Sequence, residues 1–298
     1  MRNWNAGSGV AVVVALTALL ISDAAAKTSP SATPETISKP ETFTYRQIGE
    51  RALKAYVFFP ETKAKHRAAV LLFHGGAWKL GEASWMFDRA KEFAEKGIVA
   101  VSVDYRLSND GLSPIDGVED ACAAFKWVRE QSDKFGIDPQ RIAGYGWSAG
   151  GHLVAAAATL PSVNGKNLVA SERPNALLLY SPALNMAKDP YFMQLMAGKG
   201  NPAAYSPSEF ISRSLPPTLI IQGEEDTIVL ARDARAFCAA ADKIMSAPCE
   251  LHVYPGVGHL LTRNLKVQYK DFDSDPTDAA EAHQLEDAFL GSLGYLER

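Results

Sequence analysis

Short apolar runs and helical stretches take turns along this chain, and that alternation constrains its fold more than any other feature. Ala69–Phe73 reads AVLLF, a continuous apolar run of the kind a strand needs when both its faces are covered. Ile98–Val103, Ala176–Tyr180 and Thr218–Ile221 repeat the pattern, and Arg141–Tyr145 and Glu250–Tyr254 read as further strands. Between them, Trp85–Lys96, Asp116–Lys134, His152–Leu160, Leu230–Met245 and Thr277–Leu293 carry helical patterns. Such an order gives an α/β fold, a mostly parallel sheet with helices on both faces. Thr42–Arg46 and Leu53–Phe59 alternate in polarity and are expected as antiparallel edge strands. Pro182–Pro217 breaks the alternation and is expected to be a small insertion lining a pocket. Ligands of such sheets bind outside the carboxyl ends of the strands.

The N-terminus reads differently. Arg2, the apolar run Val10–Ile21 and Ala24-Ala25-Ala26 before Lys27 have the layout of a secretory signal peptide over residues 1–26. The apolar run falls short of the ~20 residues that span a bilayer, and no second candidate span follows. Residues 27–41 are rich in Ser, Thr and Pro and are expected to form a flexible leader, leaving one large domain over 42–298. The expected location is secreted or periplasmic. A formal net charge of −4 without a basic block argues against nucleic acid as a partner. Of the three cysteines, Cys122 reads as a small buried residue. Cys238, on a helix, and Cys249, opening a strand, form a disulfide if geometry permits. The cysteine spacings fit no zinc pattern, and neither a metal nor a cofactor is expected.

Four short segments carry chemistry, and each follows a strand. Gly146-Trp147-Ser148-Ala149-Gly150 is a G-x-S-x-G sequence between a strand and a helix, where Ser148 would sit exposed on a tight turn as a nucleophile. A serine hydroxyl needs a base, and the base needs an orienting group. Among the six histidines, His259 lies in a glycine-rich loop directly after the last strand. His66 reads as solvated, His252 as a strand residue, His283 as mid-helix and His152 as a packing residue. Asp226, in the acidic turn after Thr218–Ile221, is the expected third member, with Glu224 and Glu225 as nearby alternatives. His74-Gly75-Gly76-Ala77-Trp78 supplies bare N–H groups for an oxyanion, assigned to Gly76 and Ala77 together with Ala149. Trp78 and Trp147 are candidate substrate contacts, and Tyr191, Phe192 and Met193 are further apolar candidates.

Taken together these segments resemble the α/β-hydrolase superfamily over residues 45–293, in the esterase branch related to hormone-sensitive lipase. The likeness is narrower to the BD-FAE feruloyl and acetyl esterases. The resemblance implies the α/β-hydrolase fold with about eight strands. It implies a serine carboxylic ester hydrolase that cleaves short acyl esters, including acetyl or feruloyl esters of carbohydrates, through an acyl-enzyme. It also implies that Asp104-Tyr105-Arg106 braces the oxyanion loop. Ala77 stands where the hormone-sensitive lipase motif commonly has a third glycine, which keeps the N–H but adds a methyl. The alternative is an amide or peptide hydrolase of the same fold, similar to kynurenine formamidases or prolyl oligopeptidases.

Overall fold

The computed structural model describes residues 39–62, 64–244, 247–270 and 272–296. The segment expected as a signal peptide and all but the end of the expected leader lie outside them. Among the described residues ten strands run β1 (Glu41–Ile48), β2 (Arg51–Phe58), β3 (Arg67–Phe73), β4 (Val99–Val103), β5 (Ile137–Trp147), β6 (Ser162–Val163), β7 (Lys166–Asn167), β8 (Ala176–Tyr180), β9 (Thr218–Gly223) and β10 (Cys249–Tyr254). Seven α-helices accompany them: α1 (Phe87–Glu95), α2 (Pro114–Glu130), α3 (Ser132–Phe135), α4 (Ala149–Thr159), α5 (Pro190–Met196), α6 (Ala231–Lys243) and α7 (Pro276–Ser292). Eight strands form one sheet in the order β1-β2-β4-β3-β5-β8-β9-β10, and β6 with β7 make a separate hairpin.

The sheet is parallel from β4 to β10, with β1 and β2 antiparallel at one edge. Its two faces bury alternate residues of each central strand. On β3, Ala69, Leu71 and Phe73 pack toward α2, α4 and α6, while Ala68, Val70 and Leu72 pack toward α1 and α7. A strand covered on both sides has no polar face, which is why AVLLF is continuous. The expected α/β-hydrolase architecture and its sheet of about eight strands are therefore present.

Helix ends follow local chemistry. At the start of α2, Asp116 Oδ2 accepts the backbone N–H of Ser113 (2.8 Å), and Pro114 stands in the first turn. The helix expected over 116–134 stops at Glu130, and the single turn α3 then ends at Gly136 in a left-handed conformation (φ 68°). The 182–217 insertion holds α5 and two short 3₁₀ turns, and its Leu184, Met186, Phe192 and Met196 are buried against the core. No described helix is long and apolar enough to cross a membrane.

Candidate active site

Ser148 follows β5 and precedes the first residue of α4, with φ 50° and ψ −113°. A left-handed conformation costs a non-glycine residue on the order of 1–2 kcal/mol. Glycine is obligatory on both sides: a methyl on Gly146 would lie 2.5 Å from the Gly150 carbonyl carbon, and one on Gly150 would lie 2.1 Å from the Phe73 carbonyl oxygen. The strained turn lifts the serine above the sheet edge. Ser148 N–H donates to the Tyr180 carbonyl at the end of β8 (2.9 Å). The Ala149 N–H is the first of α4 and has no intrahelical acceptor.

The loop after β3 lies directly against this serine, since a methyl on Gly75 would sit 3.3 Å from Ser148 Cβ. Gly76, Ala77 and Trp78 all have positive φ (113°, 51° and 59°). The Gly76 carbonyl accepts the N–H groups of Lys79 and Leu80 at 3.0 and 2.9 Å. Among the described residues, no acceptor faces the N–H groups of Gly76 and Ala77. The extra methyl of Ala77 is thus accommodated at the price of a left-handed backbone.

The loop is held from beneath. His74 Nδ1–H donates to the Gly75 carbonyl (2.6 Å), and its ring stacks on Tyr105 with centroids 4.4 Å apart. The Tyr105 hydroxyl donates to the His74 carbonyl (2.8 Å), and Ser108 N–H donates to the Trp78 carbonyl (2.6 Å). Arg106 fastens the same segment to α2 through Asp120 (2.8 Å), Glu119 (2.8 Å) and Asp116 (3.0 Å). Asp120 is fully buried and pairs with Arg46 as well (2.5 Å), so loss of Arg106 would leave it a single cationic partner. Of the three bracing residues implied by the resemblance, Tyr105 touches the oxyanion loop, Arg106 anchors it at one remove, and the Asp104 carbonyl accepts from Tyr45 (2.6 Å).

Asp226 and His259 meet across the ends of β9 and β10. His259 Nδ1–H donates to Asp226 Oδ2 at 2.8 Å, and both side chains are buried. Gln222 Nε2 donates to the same carboxylate oxygen (2.9 Å), and the N–H groups of Ile228 and Val229 donate to the other (2.9 Å each). The carboxylate is therefore fixed on both oxygens. With Nδ1 engaged, Nε2 is the nitrogen left to exchange a proton. The histidine turn returns toward the serine, because Leu260 N–H donates to Ser181 Oγ (3.0 Å), and Ser181 directly follows Tyr180. Glu224 and Glu225, the alternative acids, are exposed; Glu224 pairs with Arg235 instead.

The other expected contacts are distributed unevenly. Trp78 is buried, its Nε1–H donating to His152 Nδ1 (3.2 Å) while His152 Nε2–H donates to the Tyr205 carbonyl (2.8 Å). Phe192 closes this cluster at 5.2 Å from both rings. Trp78 is thus packed beneath the loop rather than lining an opening. Trp147 is half-buried and donates to Tyr145 Oη (2.8 Å), while Tyr191 and Met193 are exposed. Burial lowers the pKa of both His74 and His152 to about 4, so both imidazoles are neutral at pH 7. Among the described residues no cluster of side chains could hold a metal.

Gln268 was not marked by sequence reasoning. Its Oε1 accepts the N–H groups of His259 and Thr227 (3.0 Å each), and its Nε2 donates to the Glu225 carbonyl (2.8 Å). One buried amide thereby ties the acid turn to the histidine turn. A lone glutamine in an unpatterned stretch carries no sequence signal for this.

A BD-FAE family model matches residues 56–176. The apo structure of Thermogutta terrifontis esterase 2 superposes with a TM-score of 0.78 at 30% identity, covering 89% of this chain and 98% of that one. The chain belongs to the α/β-hydrolase superfamily, in its esterase branch related to hormone-sensitive lipase and BD-FAE. It is also similar to carboxylesterase NlhH of Mycobacterium tuberculosis (strain ATCC 25618 / H37Rv), 36% identical over 48% of this chain and 44% of that protein. An arylesterase of Saccharolobus solfataricus is 33% identical over 45% of this chain and 44% of its own length. The alignments span less than half of these two curated relatives. The Thermogutta esterase has also been solved with propionate and with butyrate bound, and phosphonylated by sarin.

Proposed function

We propose that this α/β-hydrolase cleaves short-chain carboxylic esters with Ser148 as nucleophile, His259 as base and Asp226 as the group that orients it. The observation that carries this reading is the 2.8 Å bond from His259 Nδ1 to Asp226, in a turn pinned to Ser181 beside the strained serine elbow. Ser148 Oγ gives its proton to His259 Nε2 as it bonds to the ester carbonyl carbon. The carbonyl oxygen takes the resulting negative charge, which the N–H groups of Gly76, Ala77 and Ala149 stabilise. Each such donor is worth about 3 kcal/mol. The tetrahedral centre then breaks its C–O bond, and the departing alcohol oxygen takes the proton from His259. Water repeats the sequence on the acyl-enzyme and releases the acid.

Short acyl groups are supported by the propionate and butyrate forms of the Thermogutta esterase. The space behind the oxyanion loop is filled by Trp78, His152 and Phe192, which supports the same limit. Acetyl or feruloyl esters of carbohydrates belong to the proposal through the BD-FAE match. The named relatives are esterases, which favours ester over amide. Export through residues 1–26 is part of the proposal as well. The Cys238–Cys249 disulfide supports it, because disulfides persist in oxidising compartments.

The test is Ser148→Ala, assayed with p-nitrophenyl acetate and by mass spectrometry after exposure to paraoxon. Hydrolysis and the phosphoryl adduct are both expected to vanish while the circular dichroism spectrum is unchanged. Retained hydrolysis in this variant overturns the assignment.

A further inference from the structure

Among the described residues, eight of the nine exposed large apolar side chains lie in segments that follow a strand of the eight-stranded sheet. Leu80 and Trp85 follow β3, Tyr191 and Met193 follow β8, Ile228 follows β9, and Leu265, Tyr269 and Phe272 follow β10; Val169 alone of the set lies elsewhere.

Phe272 has the most specific position. Its ring centroid is 6.4 Å from that of His259, tilted by 56°, and the side chain is 50% exposed. Part of the ring faces the catalytic imidazole and part is free for contact. His259 returns its proton to the departing alcohol, so that alcohol must lie beside the imidazole at the moment of cleavage. A ring beside His259 is therefore placed to meet the leaving group.

The described residues of the segment that carries Phe272 are tied to the histidine turn. Thr262 and Ser274 form a β-bridge at its neck, and Arg263 N–H donates to the Asp273 carbonyl (2.9 Å). The guanidinium of Arg263 pairs with the Asp273 carboxylate (2.7 Å). Ser274 Oγ donates to the Leu260 carbonyl (2.7 Å), and Asp275 N–H donates to that of Leu261 (2.9 Å). Gln268 fixes the middle of the loop to the backbone of His259. A wall tied in this way costs little ordering on binding. Phenylalanine brings apolar area and an aromatic edge but no polar handle.

We propose that Phe272 forms the leaving-group subsite and that it selects esters of aromatic alcohols. This rests on the ester-hydrolase reading above, but puts an aromatic alcohol where that reading also allowed a carbohydrate one.

Three acetates separate the outcomes: phenyl acetate, ethyl acetate and an acetylated xylose, assayed with the wild-type protein, Phe272→Ala and Phe272→Leu. Since Phe272 is half exposed, both variants should fold. In Phe272→Ala, kcat/KM for phenyl acetate is expected to fall roughly 5- to 10-fold relative to ethyl acetate, the size of one aromatic pair. Phe272→Leu, which keeps apolar area without the ring, should fall between. An unchanged phenyl-to-ethyl ratio overturns the proposal while leaving the hydrolase reading in place. An equal loss on all three acetates also overturns it, because Phe272 would then merely support His259. A wild-type protein that hydrolyses none of them overturns both readings.

Discussion

The side-chain oxygen of Gln268 accepts the backbone N–H of His259 at 3.0 Å, nine residues back along the chain. The same oxygen accepts Thr227 N–H, and the amide nitrogen reaches the Glu225 carbonyl. Gln268 therefore sets the spacing between the turns that carry Asp226 and His259. Gln268→Ala removes that spacer and leaves two backbone donors unpaired. Misplacement of a catalytic group by about 1 Å costs on the order of 100-fold in rate. We expect kcat on p-nitrophenyl acetate to fall roughly 10- to 100-fold, with KM little changed. Gln268→Glu keeps the acceptor and should recover part of the loss. A variant that loses thermal stability but keeps full kcat would show that the bridge is structural alone.

Asp226 receives donors on both oxygens, and Asp226→Asn tests one of them. The asparagine can still accept from Ile228 and Val229 through the oxygen in the Oδ1 position. Its NH₂ group then faces Gln222 Nε2 and His259 Nδ1. The imidazole must shift its proton to Nε2 to accept from that group, and Nε2 can then no longer serve as the base. In a serine–histidine–aspartate triad this exchange costs on the order of 10⁴ in kcat with geometry preserved. A comparable loss, read from steady-state kinetics on p-nitrophenyl acetate, is expected here. A loss below about tenfold would place the orienting role elsewhere.

What could be read from the sequence divides along physical lines. Strands buried on both faces announce themselves, and Ala176–Tyr180 was legible to the residue. Ser148, Asp226 and His259 could be proposed from the sequence because each follows a strand in an order that α/β-hydrolases share. Gln268 and Gln222 could not, because a side-chain bond to a distant backbone leaves no period or spacing. The burial of Trp78 depends on His152 and Phe192, which arrive from other elements far along the chain. The β6–β7 hairpin is too short to carry a pattern. Pairing of Cys238 with Cys249 stayed open until their Cα atoms were seen 5.2 Å apart.

Stability should depend on pH through the buried imidazoles. Burial holds His74 and His152 at about 4, whereas an unfolded histidine titrates near 6.5. Below about pH 6.5 the unfolded chain binds protons that the folded one refuses, so this stability is present above 6.5 and is lost as pH falls toward 4. His283, also lowered by burial, acts in the same direction. Glu286 opposes them: burial, against the pull of Arg89, raises it to about 7, and its stabilisation is lost as pH rises. The two deeply buried histidines outweigh the glutamate, so stability should fall on acidification between roughly pH 5 and 6.5. The urea midpoint should fall across that window on acidification, and His152→Gln should flatten most of the slope. A midpoint constant from pH 7 to pH 5 contradicts this balance.

The disulfide should support stability without touching catalysis. Cys238 lies on α6 and Cys249 opens β10, the edge strand of the sheet, so the bond secures a strand that has one neighbour. It closes a short loop, with a sequence separation of 11, for which chain entropy gives about 3 kcal/mol. In a domain of this size each kcal/mol moves Tm by about 2–4 °C, so Cys238→Ser with Cys249→Ser should melt roughly 6–12 °C lower. The turn bearing His259 leaves from the opposite end of β10 and is held by Gln268 and Ser181. At 25 °C kcat should therefore match the wild-type value. Calorimetry with and without reductant, paired with the p-nitrophenyl acetate assay, separates the two effects. A fall in kcat at unchanged Tm would mean that the bond positions His259 rather than the strand.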